Sequence, residues 1–107
     1  MNELTKIERL QASLSILGIP MAYGFFRERQ TPPYVIYIGN GQDTFGADNT
    51  WYSRENRYQL EYYFSKKNEA TETAIENILL ESGYNNYTKS EDTFIESEGV
   101  FVIYYQI

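Results

Sequence analysis

The 107-residue chain has no cysteine and no histidine. Without cysteine there is no disulfide, no thiolate nucleophile and no thiolate metal site. Without histidine the commonest general base and the commonest metal ligand are both missing. Catalysis would fall to paired carboxylates, to Ser with Lys, or to Tyr. Long apolar runs are also missing: none approaches the roughly 20 residues of a membrane span. The first residues, MNELTKIERL, are charged and amphipathic and do not read as a signal peptide. These absences lead us to expect a soluble cytoplasmic protein with no membrane partner and no cofactor.

Positive charge is scarce too. The formal net charge is −6 and it is unevenly spread. Residues 1–67 carry eight basic and seven acidic side chains; residues 68–107 carry one basic residue, Lys89, and eight acidic ones. A nucleic-acid groove needs clustered Lys and Arg to displace counterions, so this balance argues against one. An acidic surface serves solubility first, and it can also repel DNA that passes nearby.

What the chain has in excess is aromatic: 11 Tyr, 6 Phe and 1 Trp. The length fits one domain, 1–107, with one sheet and one helical layer. Leu4, Ile7, Leu10, Leu14 and Leu17 recur at helical spacing, which predicts a helix over 3–17 capped by Asn2 and stopped by Gly18 and Pro20. Residues 21–28 read as an aromatic strand. A break at Gln30-Thr31-Pro32-Pro33 follows, then an apolar strand over 34–38. A glycine-rich loop is expected from Gly39 to about Asn49, then a strand over 51–64. Tyr58, Leu60, Tyr62 and Phe64 alternate with Arg57, Gln59, Glu61 and Tyr63, so they face opposite sides. A helix over 69–82 buries Thr71, Ala74, Ile75, Ile78 and Leu79, with Glu69, Glu72 and Glu76 expected on its wet side. Residues 84–92 read as a polar edge strand that continues over 93–96 after a kink. Residues 100–107, the most apolar stretch, read as the central strand. The fold class is therefore α+β, in the order α-β-β-β-α-β-β. The sheet should be mostly antiparallel, with two helices packed on one face.

Candidate sites thin out on inspection. Gly39-Asn40-Gly41 begins like a dinucleotide fingerprint, but Thr44 stands where the third glycine belongs and no helix pattern follows. Asp43, Asp48 and Asn49 lack calcium-loop spacing. The stretch reads as a structural or interaction loop. Glu91-Asp92 and Glu96/Glu98 sit on a polar segment and read as a solvated edge rather than an acid–base pair. Arg54 and Arg57, beside Tyr52 and Tyr58, suit an inter-subunit salt bridge or stacking contact. Tyr58, Leu60, Tyr62 and Phe64 with Phe101, Ile103, Tyr105 and Ile107 already furnish one apolar sheet face. Tyr34, Trp51, Tyr63 and Tyr104 are then left over, which suggests an oligomer interface.

Three stretches carry a family resemblance: GIPMAYGFFRERQTPPYVIYIGNG, FGADNTWYSRENRYQLEYYFSKKNEATETAIENIL and the final VFVIYYQI. Together they resemble the tail terminator, or tail completion, proteins of siphophages and prophages of Gram-positive bacteria. One departure is Gly46, between Phe45 and Ala47, which lengthens the loop. The resemblance implies a non-enzymatic virion protein. It would form a ring, usually a hexamer, that caps the head-proximal end of the tail tube and stops polymerisation. It would also dock to the head connector. Partners would be further copies of itself, the tail tube protein and the connector, with DNA passing through unbound. Location would be the host cytoplasm during assembly and then the virion neck. On this reading Tyr34, Phe45, Asp48, Asn49, Trp51, Arg54, Arg57 and Tyr63 are candidate contact residues. Glu91, Asp92, Glu96 and Glu98 are candidates for a channel lining. The alternatives are another head–tail joining protein or a small bacterial binding or regulatory module.

Overall fold

The computed structural model describes residues 4–46 and 52–107. The elements run α1 (Lys6–Ile16), β1 (Met21–Tyr23), β2 (Tyr34–Gly46), β3 (Tyr52–Phe64), α2 (Glu69–Glu81), β4 (Thr88–Lys89), β5 (Thr93–Ile95) and β6 (Val100–Gln106). The sheet order is β1-β2-β3-β6-β4, with β5 also on β6. β4 and β5 lie end to end along one edge of β6, against Gln106–Tyr105 and Val102–Val100 respectively. They stand where the kinked edge strand was expected, but as two short pieces, Thr88–Lys89 and Thr93–Ile95. All pairings are antiparallel except β1 with β2. The fold is α+β.

α1 starts later than its apolar stripe suggests. Thr5 caps it through a capping box: its hydroxyl accepts from Glu8 N–H while the Glu8 carboxylate accepts from Thr5 N–H. The expected cap, Asn2, lies outside the described residues. Leu10 and Leu14 are fully buried, but Leu4 and Leu17, at the ends of the stripe, are exposed. β1 is only three residues long, because Gly24 turns left-handed (φ 76°) and lifts the chain off the sheet. The strand expected over 21–28 therefore ends at Tyr23, and Phe25 is exposed.

β3 behaves as its alternation predicts. Leu60, Tyr62 and Phe64 are buried, pairing across to Tyr105, Ile103 and Phe101 on β6. Val35 joins the same face through Tyr62. Leu10 and Leu14 of α1 and Ile75, Ile78 and Leu79 of α2 cover that face and complete one core. Both helices thus pack on the same side. Burial of side chains this size stabilises by about 1.5–3 kcal/mol each, so this layer dominates the fold's stability. Residues 84–92 depart from the polar strand expected there: Tyr84 is buried in the core and only Thr88–Lys89 pairs.

The largest departure is the glycine-rich stretch. Residues 39–46 form a strand, paired antiparallel with β3 out to Gly46↔Tyr52. The pairing shifts register between Gly39 and Gln42, and Gly41 sits at the irregularity with φ 90°. A glycine there lets the chain bulge and then resume its ladder. β1 leaves β2 after Tyr37, and β6 leaves β3 after Gln59. Beyond those points the hairpin runs on as a two-stranded arm. The Cα radius of gyration is 15.2 Å, against about 13 Å for a compact chain of this length.

Candidate functional site

The described side chains of the arm are mostly polar. Asn40, Gln42, Asp43, Thr44, Ser53, Arg54 and Asn56 are exposed, and Phe45 is the exposed aromatic among them. Asp43 lies directly opposite Glu55, a like-charge pairing that would cost stability if left alone. Each carboxylate has a cation instead. Arg57 Nη1 is 3.6 Å from Asp43, and Lys6 Nζ is 2.6 Å from Glu55. The Lys6 hydrogen bond holds the Glu55 carboxyl below its ordinary range. Lys6 also lies 5.5 Å from the ring centre of Tyr84, so it ties the arm to the core. A cleft of about 490 Å³ opens around it, lined among others by Thr5, Ile7, Phe45, Glu55 and Tyr84.

The opposite sheet face is covered by no described helix. At one end it is aromatic: Tyr34 stacks on Tyr63 at 4.9 Å, and Phe26 meets Tyr34 edge-on at 5.5 Å. Val102, opposite Tyr63 on β6, is fully buried yet stands outside the main core. The segment over 25–32 overhangs this end, leaving a cleft of about 550 Å³ floored by Tyr34, Ile36 and Val100. At the other end the face is polar. Asn40 donates to Gln106 at 2.7 Å, Gln106 to Gln59 at 2.9 Å, and Gln59 to Glu61 at 3.1 Å. Tyr63 closes the series, donating its hydroxyl to Glu61 at 2.8 Å. Burial, reinforced by the Glu61 carboxylate, pushes the Tyr63 hydroxyl well above its ordinary pKa.

A third feature escaped the sequence reading. Glu72 is only 3% exposed, and Glu76 is half-buried, although both were expected on the wet side of α2. Glu72 takes Lys89 at 3.0 Å on one oxygen and Lys67 at 2.7 Å on the other. Lys89 also reaches Glu76 at 2.7 Å, and Glu76 accepts the Tyr105 hydroxyl at 2.7 Å. Lys67 continues to Asp92 at 3.0 Å. Two lysines thus bind three carboxylates and fasten α2 to the edge strand. Hydrogen bonding to Glu72 raises the Lys67 ammonium above its ordinary value. Burial alone would lower Lys89, but its bonds to Glu76 and Glu72 outweigh that and leave it raised. The signal was present in the spacing: 72, 75, 76 and 79 share one helix face.

The structure does not gather the candidate contact residues into one patch. Tyr34 and Tyr63 meet on the aromatic end of the second face, while Phe45, Arg54 and Arg57 stand on the arm. Arg57 is engaged within its own chain by Asp43. Asp48, Asn49 and Trp51 lie outside the described residues. Glu91 and Asp92 sit at the kink between β4 and β5, with Asp92 held by Lys67. Glu96 and Glu98 are exposed at the turn into β6. Among the described residues no three His, Cys, Asp or Glu are placed to hold a metal ion, and no helix is long and apolar enough to cross a membrane. No protein-family model matches the chain, and no curated protein matches it in sequence.

Proposed function

We propose that the chain is a phage structural protein of the tail-terminator kind. It would form a ring that caps the head-proximal end of the tail tube, stops polymerisation and docks to the head connector. The observation that carries this reading is a pair of unlike surfaces on one small subunit. One is a two-stranded polar arm, and the other a sheet face without a helix over it, aromatic at one end. A ring needs heterologous contacts, in which different patches of one subunit meet. The resemblance of the three quoted stretches supplies the identity of the ring.

The acidic second half of the chain suits a wall past which DNA slides without sticking. Glu91, Asp92, Glu96 and Glu98 are among its exposed members. Deleting the gene from the phage or prophage that carries it should yield overlong tails without heads, seen by electron microscopy. Tails of normal length would overturn the reading. Reversing the charge of Glu91, Asp92, Glu96 and Glu98 should slow DNA ejection. Unchanged ejection and assembly would remove these residues from the channel.

A further inference from the structure

Among the described residues both outer edges of the arm are open. On the β2 side, Tyr23 hydroxyl takes the Gly39 N–H at 3.2 Å, and no described strand pairs beyond it. On the β3 side, Ile107 N–H reaches Tyr58 C=O, and none pairs further toward the tip. Residues 40–46 and 53–57 therefore present rows of backbone donors and acceptors to solvent. A two-stranded ribbon is marginal by itself and gains stability from further strands. Among its described side chains Phe45 is the one large apolar group, so what the ribbon mainly offers a partner is its edges.

The edges differ in sign. The open part of β2 carries Asp43 and the open part of β3 carries Arg54, Glu55 and Arg57, a net of +1. The Asp43–Arg57 pair has its negative end on the β2 side and its positive end on the β3 side, and Lys6 neutralises Glu55. Like edges meeting would oppose like charges, whereas β2 against β3 brings opposite charges together. The strand directions agree, because β2 and β3 are already antiparallel neighbours within one arm.

We propose that the arms of successive copies pair edge to edge, the open edge of β2 in one copy against the open edge of β3 in the next. This deepens the ring reading and rests on it for closure. Repeating the contact in one direction gives a continuous antiparallel wall, two strands per copy, wet on both sides. Such a wall surrounds an open lumen rather than a packed core.

The absence of cysteine makes the test clean, since only introduced thiols can cross-link. Gln42 and Thr44 share an arm face with Asn56 and Arg54. Single variants Q42C, T44C, R54C and N56C would be purified separately. They would be mixed in pairs with mild oxidant, alone and on tail tubes, and the products resolved by mass. Neighbouring strands place Cα atoms about 4.5–5.5 Å apart, within disulfide reach. The expected result is mixed dimers of a β2 variant with a β3 variant, several-fold above same-variant dimers. Same-variant dimers in equal or greater yield, or no dimers, overturn the proposal. Electron microscopy of the wild-type protein on the same tubes reads the ring separately. Rings without mixed disulfides sink the arm pairing alone. Mixed disulfides in open chains uphold the pairing and sink the ring.

Discussion

β2 and β3 are one hairpin with two different halves. From Tyr34↔Tyr63 to Gly39↔Tyr58 the pair lies inside the sheet, with Val35, Leu60 and Tyr62 buried under both helices. From Gln42↔Asn56 to Gly46↔Tyr52 the same strands run on with no described side chain fully buried. The change falls at the Gly41 bulge. The difference teaches that strand pairing and core formation are separable: the inner half holds the fold, and the outer half is held by the fold. Substitutions should sort accordingly, with large stability effects in the inner half and small ones in the arm.

The largest effect belongs to Leu60→Ala. Leu60 is fully buried at the centre of the core. Truncation leaves a cavity and should cost about 2–5 kcal/mol in denaturant unfolding. A loss below about 1 kcal/mol would mean that the inner half is not the stabilising one.

Next comes alkaline pH. Burial pushes the Tyr84 hydroxyl up to about 12 and raises Tyr62 and Tyr105 as well. Each is neutral and buried in the fold, so its contribution is complete below the unfolded value near 10 and is lost as pH rises through the folded value. The raised Lys67 and Lys89 act in the same direction above about 10.5. Stability should therefore fall steeply between about pH 10 and pH 12, with Tyr84 alone accounting for about 2–3 kcal/mol. Tyr84→Phe should flatten part of that fall in unfolding curves taken across the range.

A smaller loss is expected from Tyr105→Phe, which keeps the ring and removes the hydroxyl that Glu76 accepts. About 1–2 kcal/mol should go, since the acceptor is charged. A change within error would show that Lys89 satisfies Glu76 by itself.

How legible was this contrast in the sequence? The inner half was legible in detail, because Tyr58, Leu60, Tyr62 and Phe64 alternate over a long run and periodicity is a local signal. The arm was not. Gly39, Gly41 and Gly46 read as loop punctuation, yet one of them is the bulge that lets the strand continue. Whether a glycine ends a strand or bends it depends on what its partner strand does, and that partner is distant in the chain. Glu72 is a mixed case: the spacing places it on the face of Ile75 and Leu79, but a carboxylate there reads as solvated until its partners are known. Its burial depends on Lys67 and Lys89, which arrive from other elements. Tyr34 and Tyr63 were singled out by surplus alone, and they stack. Surplus did not say that Arg57 is engaged within its own arm.

The smallest effect, and the sharpest test of the contrast, is at Glu55. Its pair with Lys6 is the arm's ionic link to α1, and both side chains are more than a third exposed. Solvent screening therefore limits the link to about 0–1 kcal/mol. The Glu55 carboxyl is depressed in the fold, so its contribution is present above the ordinary value of 4.5 and lost as pH falls through the lower folded value. The arm link should thus fail on the acid side, while the inner half fails on the alkaline side. Glu55→Gln should leave global unfolding nearly unchanged. It should lower the amide protection factors over residues 42–46 and 53–57 at neutral pH to those the native chain shows only in acid. Equal exchange in the two proteins at neutral pH would mean the arm is held by something other than Lys6. A large global loss would mean that the arm belongs to the core after all.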